Sequence, residues 1–211
     1  MSKNRKNMFS IRSDELYSLI HYRYLLDDFF QSPRQLRAAA ATETLNIIEK
    51  KTYSSPSGRN VTIDVSSMRT TVHQTVPNKS SSPSPRYTAT HMEVTNESTL
   101  TCAMRLVRSG KFKNVCALNF ASAKNPGGGF RGGSQAQEES IARSSTIISS
   151  LESDEATKHF YRFHKKNPRN GLYSHRAIHT QNVVVFRDNQ MNLLEQPFNV
   201  SFVTCAAVNM G

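Results

Sequence analysis

Residues 114–145 read NVCALNFASAKNPGGGFRGGSQAQEESIARSS, an apolar run, a glycine-rich loop and a helix-forming run in direct succession. Asn114–Ala121 has the length and apolar continuity of a strand covered on both faces. The stretch after it holds Gly127, Gly128, Gly129, Gly132 and Gly133, more than half of the chain's 9 glycines. In open α/β sheets ligands sit beyond the carboxyl ends of the strands, and a glycine turn between strand and helix lets backbone N–H groups reach phosphate oxygens. The stretch fits neither GxxxxGK[ST] nor GxGxxG with an acid about 20 residues later, so nucleoside triphosphatase and dinucleotide-dehydrogenase readings lose their support. It predicts a phosphate-cradling loop of another kind.

Outward from this loop, strand and helix patterns alternate. THMEVTN (90–96) predicts a strand and ESTLTCAMRLVRSG (97–110) a helix stopped by glycine. AQEESIARSSTIISSL (136–151) and SDEATKHFYRFHKK (153–166) predict two helices, and HTQNVVVFRD (179–188) and FNVSFVTCAAVN (198–209) two strands. This order predicts an α/β domain with its central strand between layers of helices. Upstream, SPRQLRAAAATETLNIIEKK (32–51) predicts a helix with Ser32 as N-cap and Pro33 at its first position. NVTIDVSS (60–67) alternates like a strand after the turn chemistry of SPSGRN (55–60). PNKSSSPSPR (77–86) reads as a flexible loop inside the domain, and YSLIHYRYLLDDFF (17–30) as a short amphipathic helix that packs on the domain or binds a partner.

The 211 residues suit one sizeable domain with an extension. Lys and Arg outnumber Asp and Glu by 27 to 16, a net charge of +11 that points to a polyanionic partner: nucleic acid, anionic lipid or a phosphate-bearing substrate. Nucleic acid fits the basic surface, but no helix-turn-helix, zinc-finger or RNP-like run supports it. Cys102, Cys116 and Cys205 stand singly, without CxxC pairs or a histidine ladder, and are expected to be buried free thiols in a reducing compartment. No run approaches the roughly 18 apolar residues of a membrane span, and the start MSKNRKNMFSIRSDEL lacks the apolar region of a signal peptide. An intracellular protein of the cytoplasm or nucleus is expected, with no membrane partner. His159, His164, His175 and His179 lack metal-ligand spacing and are read as surface or hydrogen-bonding residues, with no metal or cofactor.

Gln137, Glu138 and Glu139 fall in the first turn of the helix after the loop. One reading is structural: acids favour helix N-termini, and Glu139 with Arg143 forms an i,i+4 pair. The other is catalytic: Glu139 lies off the apolar stripe of Ile141, Ile148 and Leu151, so it can face a cleft while its helix is packed. Carboxylates beside a phosphate cradle are unfavourable unless they touch a sugar rather than the phosphates.

The joined pattern of Gly127, Gly128 and Gly129, seven residues, then Gln137, Glu138 and Glu139 resembles the GGG…QEE signature of poly(ADP-ribose) glycohydrolases. NFASAKNPGGGFRGGSQAQEESIARSS is most similar to the microbial branch, and the resemblance extends weakly from Arg34 to the end, through VTNESTL and LYSHRAI…VVVFRD. It implies a macrodomain-like mixed β-sheet flanked by helices over 34–211, with an N-terminal basic, helical extension over 1–33. Microbial members continue past the strand resembling VTCAAVN into a helix, a strand and a second glycine-containing loop, so the domain is expected to be short at its C-terminus.

The activity implied is hydrolysis of the ribose–ribose O-glycosidic bond of poly(ADP-ribose), with the polymer or ADP-ribosylated proteins as partners. The alternative is a catalytically impaired module that binds ADP-ribose. By resemblance Glu139 is the acid/base, Glu138 holds ribose hydroxyls and Gln137 shapes the helix start. Gly127, Gly128 and Gly129 approach the diphosphate, Asn125 contacts a ribose, and Phe130 with Arg131 closes over the ligand. Tyr173 is a further aromatic for the ligand edge.

Overall fold

The computed structural model describes residues 32–75, 89–167 and 172–208. The expected helix at 17–30 and loop at 77–86 lie outside the described residues.

The first helix, α1 (Pro33–Lys50), starts as its sequence demands. Ser32 Oγ accepts from the Gln35 N–H at 3.3 Å, and Gln35 Oε1 accepts from the Ser32 N–H at 2.7 Å, a reciprocal capping box with Pro33 at the first position. A hairpin of β1 (Thr52–Ser54) and β2 (Asn60–Thr62) follows, its turn at Pro56–Gly58. Then come β3 (Arg69–His73), α2 (Thr99–Arg108) capped by Ser98, and β4 (Cys116–Ala121). After the glycine loop the chain forms α3 (Gln137–Ser144), α4 (Ile147–Leu151), α5 (Asp154–Ala156), a π-helical turn (Thr157–Tyr161) and α6 (Arg162–Lys166). Two long strands, β5 (Ala177–Arg187) and β6 (Leu193–Ala206), close the described fold.

The main sheet has the order β3-β5-β6-β4. The β3–β5 and β5–β6 pairs are antiparallel and β6–β4 is parallel, so the sheet is mixed, as expected. Its helix-facing side carries the core: Phe130, Ile141, Ile147, Leu151, Phe160, Ile178 and Phe202 are all buried there. Fully burying one such side chain stabilises by about 1.5–3 kcal/mol. A bulge after Thr180, with Asn182 at φ 56°, re-aims β5. Beyond it Val183 and Val185 join the main core, while Val184 and Phe186 pack with Ile47, Tyr53 and Ile63 on the other face. The hairpin, with Ile47 of α1, therefore covers one end of the sheet on the side away from the main core, while Ala41 earlier on α1 belongs to the main core.

Several expectations are corrected. Residues 90–96 form no strand: Met92 and Val94 are exposed, and Glu93 and Glu97 are held instead by Arg105 at 2.8 and 2.6 Å. The strand expected over 60–67 pairs only from Asn60 to Thr62, where the hairpin partner ends. Among the described residues β4 is an edge strand covered on one face: Asn119 and Ala121 are buried, while Leu118 and Phe120 are 41% and 58% exposed. The helix expected over 136–151 is broken, because Ser145 is extended and bridges Val185, and Thr146 exchanges hydrogen bonds with Val184 at 3.0 Å each way. Helical hydrogen bonding stops where the backbone joins the sheet. The cysteines are not buried: Cys116 is exposed and Cys102 and Cys205 are partly so. Among the described residues no helix is long and apolar enough to cross a membrane.

Candidate active site

The carboxyl end of β4 opens into a tightly wound loop. Ser122 Oγ accepts from the N–H groups of Lys124 and Asn125 at 3.3 and 3.1 Å, turning the chain at once. Gly128 N–H donates to Asn125 O at 3.0 Å, and Gly132 and Ser134 N–H both donate to Gly129 O at 3.1 and 3.2 Å. A cavity of about 350 Å³ lies over this loop, and Asn125, Gly128, Glu138, Glu139 and Tyr173 are among its walls.

The two glutamates converge on the loop although adjacent helical side chains diverge by about 100°. They can do so because the loop wraps the start of α3. Glu138 is buried, 4% exposed, and its Oε2 accepts from Ser122 N–H at 2.7 Å while Oε1 accepts from Gly127 N–H at 3.1 Å. Glu139 is half-buried; its Oε1 accepts from Gly129 N–H at 3.0 Å, and its Oε2 accepts no hydrogen bond among the described residues. One carboxylate is locked, and the other presents an oxygen at the cavity.

This corrects the loop's expected role. The three glycine N–H groups offered to a diphosphate are all taken within the protein, by Glu138, Asn125 and Glu139. The glycines serve close approach instead: Gly128 has φ +59°, and a Cβ there would overlap Glu139 Oε1 and stand 3.2 Å from Glu138 Oε2.

Phe130 is also corrected, being 1% exposed and packed in the core beneath the loop rather than over a ligand. Arg131 pairs with Glu152 at 2.8 Å. Gln137 turns away from the cavity. Its Oε1 accepts from Phe120 N–H and its Nε2 donates to Leu118 O, each at 2.8 Å, so its amide pairs the open edge of β4 as a neighbouring strand would. The expected i,i+4 pair of Glu139 and Arg143 does not form, because Arg143 donates to Ser134 O and Gln135 Oε1. Asn125 is exposed at the rim and Tyr173 lines the wall, so the structure brings together Asn125, Gly128, both glutamates and Tyr173. Ser122 was missed as a site residue, although a serine three residues ahead of Asn125-Pro126 is the turn signal that marks it. Among the described residues no cluster of three or more His, Cys, Asp or Glu is placed to hold a metal ion.

Burial pushes the Glu138 carboxyl up to about 7, reinforced by the Glu139 charge and opposed by the N–H groups of Ser122 and Gly127. Because this lies above the ordinary value of 4.5, the folded state binds more protons across the interval between them. Glu138's contribution to stability is therefore full at low pH and is lost as pH rises through about 7. Buried His164, pushed down by its burial, acts in the opposite direction near neutrality. The clean observable is thus a difference: the Tm of wild type relative to Glu138→Gln is expected to fall by roughly 5–10 °C from about pH 5 to 8. A difference that stays flat across this range would show that Glu138 does not titrate there.

Over residues 41–188 the sequence matches the family described as microbial-type PARG, catalytic domain. Among solved structures, poly(ADP-ribose) glycohydrolase (PARG) from Thermomonospora curvata is 41% identical with a TM-score of 0.71, over 82% of this chain and 64% of its own. The same protein bound to the inhibitor ADP-HPD gives 39% and 0.66, over 82% and 63%. The Deinococcus radiodurans PARG in complex with ADP-ribose gives 41% and 0.50, over 56% and 44%. The chain thus spans less than two thirds of the length of these structures. No curated protein matches it.

Proposed function

This chain belongs to the microbial-type poly(ADP-ribose) glycohydrolase family, and from that premise we propose that it hydrolyses the ribose–ribose O-glycosidic bond of poly(ADP-ribose), with Glu139 as acid/base. The observation that carries this reading is the unequal use of two adjacent carboxylates. Glu138 has both oxygens on backbone N–H groups, and Glu139 has one oxygen anchored and one turned to the cavity. A facing acid and nucleophile would need carboxylates from opposite sides of the bond, about 5 Å or more apart. Both glutamates here lie against Gly128, which favours a single acid/base group.

In this mechanism Glu139 protonates the ribose oxygen that leaves as the anomeric C–O bond breaks, and a water then attacks the oxocarbenium-like carbon. The deprotonated Glu139 takes the proton that this water releases, which returns the site to its starting state. Glu138 keeps the loop closed, and because each carboxylate oxygen has a second lone pair it can still accept from a ribose hydroxyl. Asn125 at the rim and Tyr173 on the wall are the proposed ribose and ring contacts. The partners proposed are the polymer and ADP-ribosylated proteins.

A second reading, binding of ADP-ribose without cleavage, is favoured by the openness of the cavity, where Asn125 and Val208 are exposed. Incubating the purified chain with poly(ADP-ribose) separates the two. Release of free ADP-ribose supports hydrolysis. Affinity for ADP-ribose without release supports the second reading, and the absence of both would overturn each.

A further inference from the structure

The glycine loop is held at both of its ends, and only one of them belongs to the glutamates. At the other end Arg34 Nε donates to Gly132 O at 2.9 Å and Arg37 Nε to Gly133 O at 2.7 Å. Arg143 Nη1 donates to Ser134 O at 2.6 Å, and its Nη2 to Gln135 Oε1 at 2.6 Å. Three consecutive carbonyls are thus each taken by a guanidinium, two from neighbouring positions on α1 and one from α3.

Among the described residues none of these arginines forms a salt bridge with a carboxylate. Arg143 is only 2% exposed. A buried guanidinium is ordinarily compensated by an acid, because desolvation of the charge is costly. Here loop carbonyls and an amide oxygen take that place, and Glu139, one helical turn before Arg143, spends its anchored oxygen on Gly129 N–H. The acid and the base that helix spacing would pair hold the same loop from opposite ends.

We propose that Arg34, Arg37 and Arg143 are positioning residues for Glu139: they fix the peptides from Gly132 to Gln135, and the loop so fixed holds the Gly129 N–H where it seats the Glu139 carboxylate at the cavity. The peptide whose carbonyl Arg37 takes, between Gly133 and Ser134, donates its N–H to Gly129 O at 3.2 Å, so a guanidinium on that carbonyl strengthens the hydrogen bond that fixes Gly129, the residue whose own N–H holds Glu139. The inference rests on the reading of Glu139 as acid/base.

Arg34 is exposed and Arg37 half-buried, so the double variant Arg34→Gln/Arg37→Gln tests it without emptying the core as a change at Arg143 would. Its kcat on poly(ADP-ribose) is expected to fall by about 10–100-fold, with KM changed by less than about threefold. Amide hydrogen exchange at Gly127 and Gly129 is expected to quicken by about tenfold or more, since their carboxylate anchors loosen. The Arg34→Lys/Arg37→Lys variant restores only part of kcat, because an ammonium lacks the rigid planar donor group.

Unchanged kcat and unchanged glycine exchange would overturn the proposal. So would a raised KM at unchanged kcat, which makes the arginines substrate contacts, or full restoration by lysine, which makes charge alone sufficient. If the wild-type chain releases no ADP-ribose, the proposed hydrolysis fails, and glycine exchange in the glutamine variant still decides the positioning.

Discussion

Glu139→Gln is expected to slow release of ADP-ribose from poly(ADP-ribose) by about 10²–10⁴-fold while leaving affinity for ADP-ribose within about threefold. The substitution keeps size and shape, and the amide oxygen can still accept from Gly129 N–H, now 3.0 Å from Oε1. What it removes is the proton carried to the leaving ribose oxygen. The effect should fall on kcat, since the lost interaction exists only in the transition state. Product release measured by chromatography, beside calorimetric titration with ADP-ribose, separates the two quantities. Hydrolysis undiminished in the variant would remove Glu139 from the chemistry.

The second large effect is expected from Gly128→Ala. At φ +59° an L side chain costs about 1–2 kcal/mol, or roughly 2–8 °C in Tm for a chain of this size. The added methyl would also overlap Glu139 Oε1 and stand 3.0 Å from Glu139 Cδ. The flexible end of the glutamate yields, which moves the carboxylate from its seat on Gly129 N–H, and a displacement of about 1 Å lowers kcat by about 10²-fold. Gly58→Ala is the control: φ is +81° there, with no atom within 4 Å of the added Cβ. It should lower Tm by a similar amount and leave turnover unchanged. If both variants lose stability alike and both remain active, crowding of the carboxylates at Gly128 is not what the loop provides.

Much of this was legible in the chain. The capping box at Ser32, the glycine after α2 and the long β5 and β6 runs carry local signals, because caps and periodicities act within a few residues of sequence. The joined glycine and QEE pattern likewise marked where the site would lie. Its inner arrangement was not legible. An apolar run such as CALNFA reads alike whether one face or both are covered, and only the sheet order makes β4 an edge with Phe120 exposed. The run from Ala136 to Leu151 has helical spacing throughout, yet Val184, some 38 residues away, breaks it at Thr146.

The sequence by itself determined α1 with its cap, α2, the strand–glycine loop–helix succession around the site, the long β5 and β6, the family, and the presence of two acids after a glycine loop, all consequences of short-range chemistry. Only the tertiary structure decided how the two acids differ. Glu138 is locked because Ser122 and Gly127 reach it across the loop, and Glu139 is left one oxygen for the cavity. It also decided that Phe130 lies beneath the loop and Gln137 against the edge of β4, and that Arg34, Arg37 and Arg143 hold the loop's far side. Those contacts join residues up to 98 positions apart. Such pairings depend on how whole elements pack, and no local pattern of side chains encodes them.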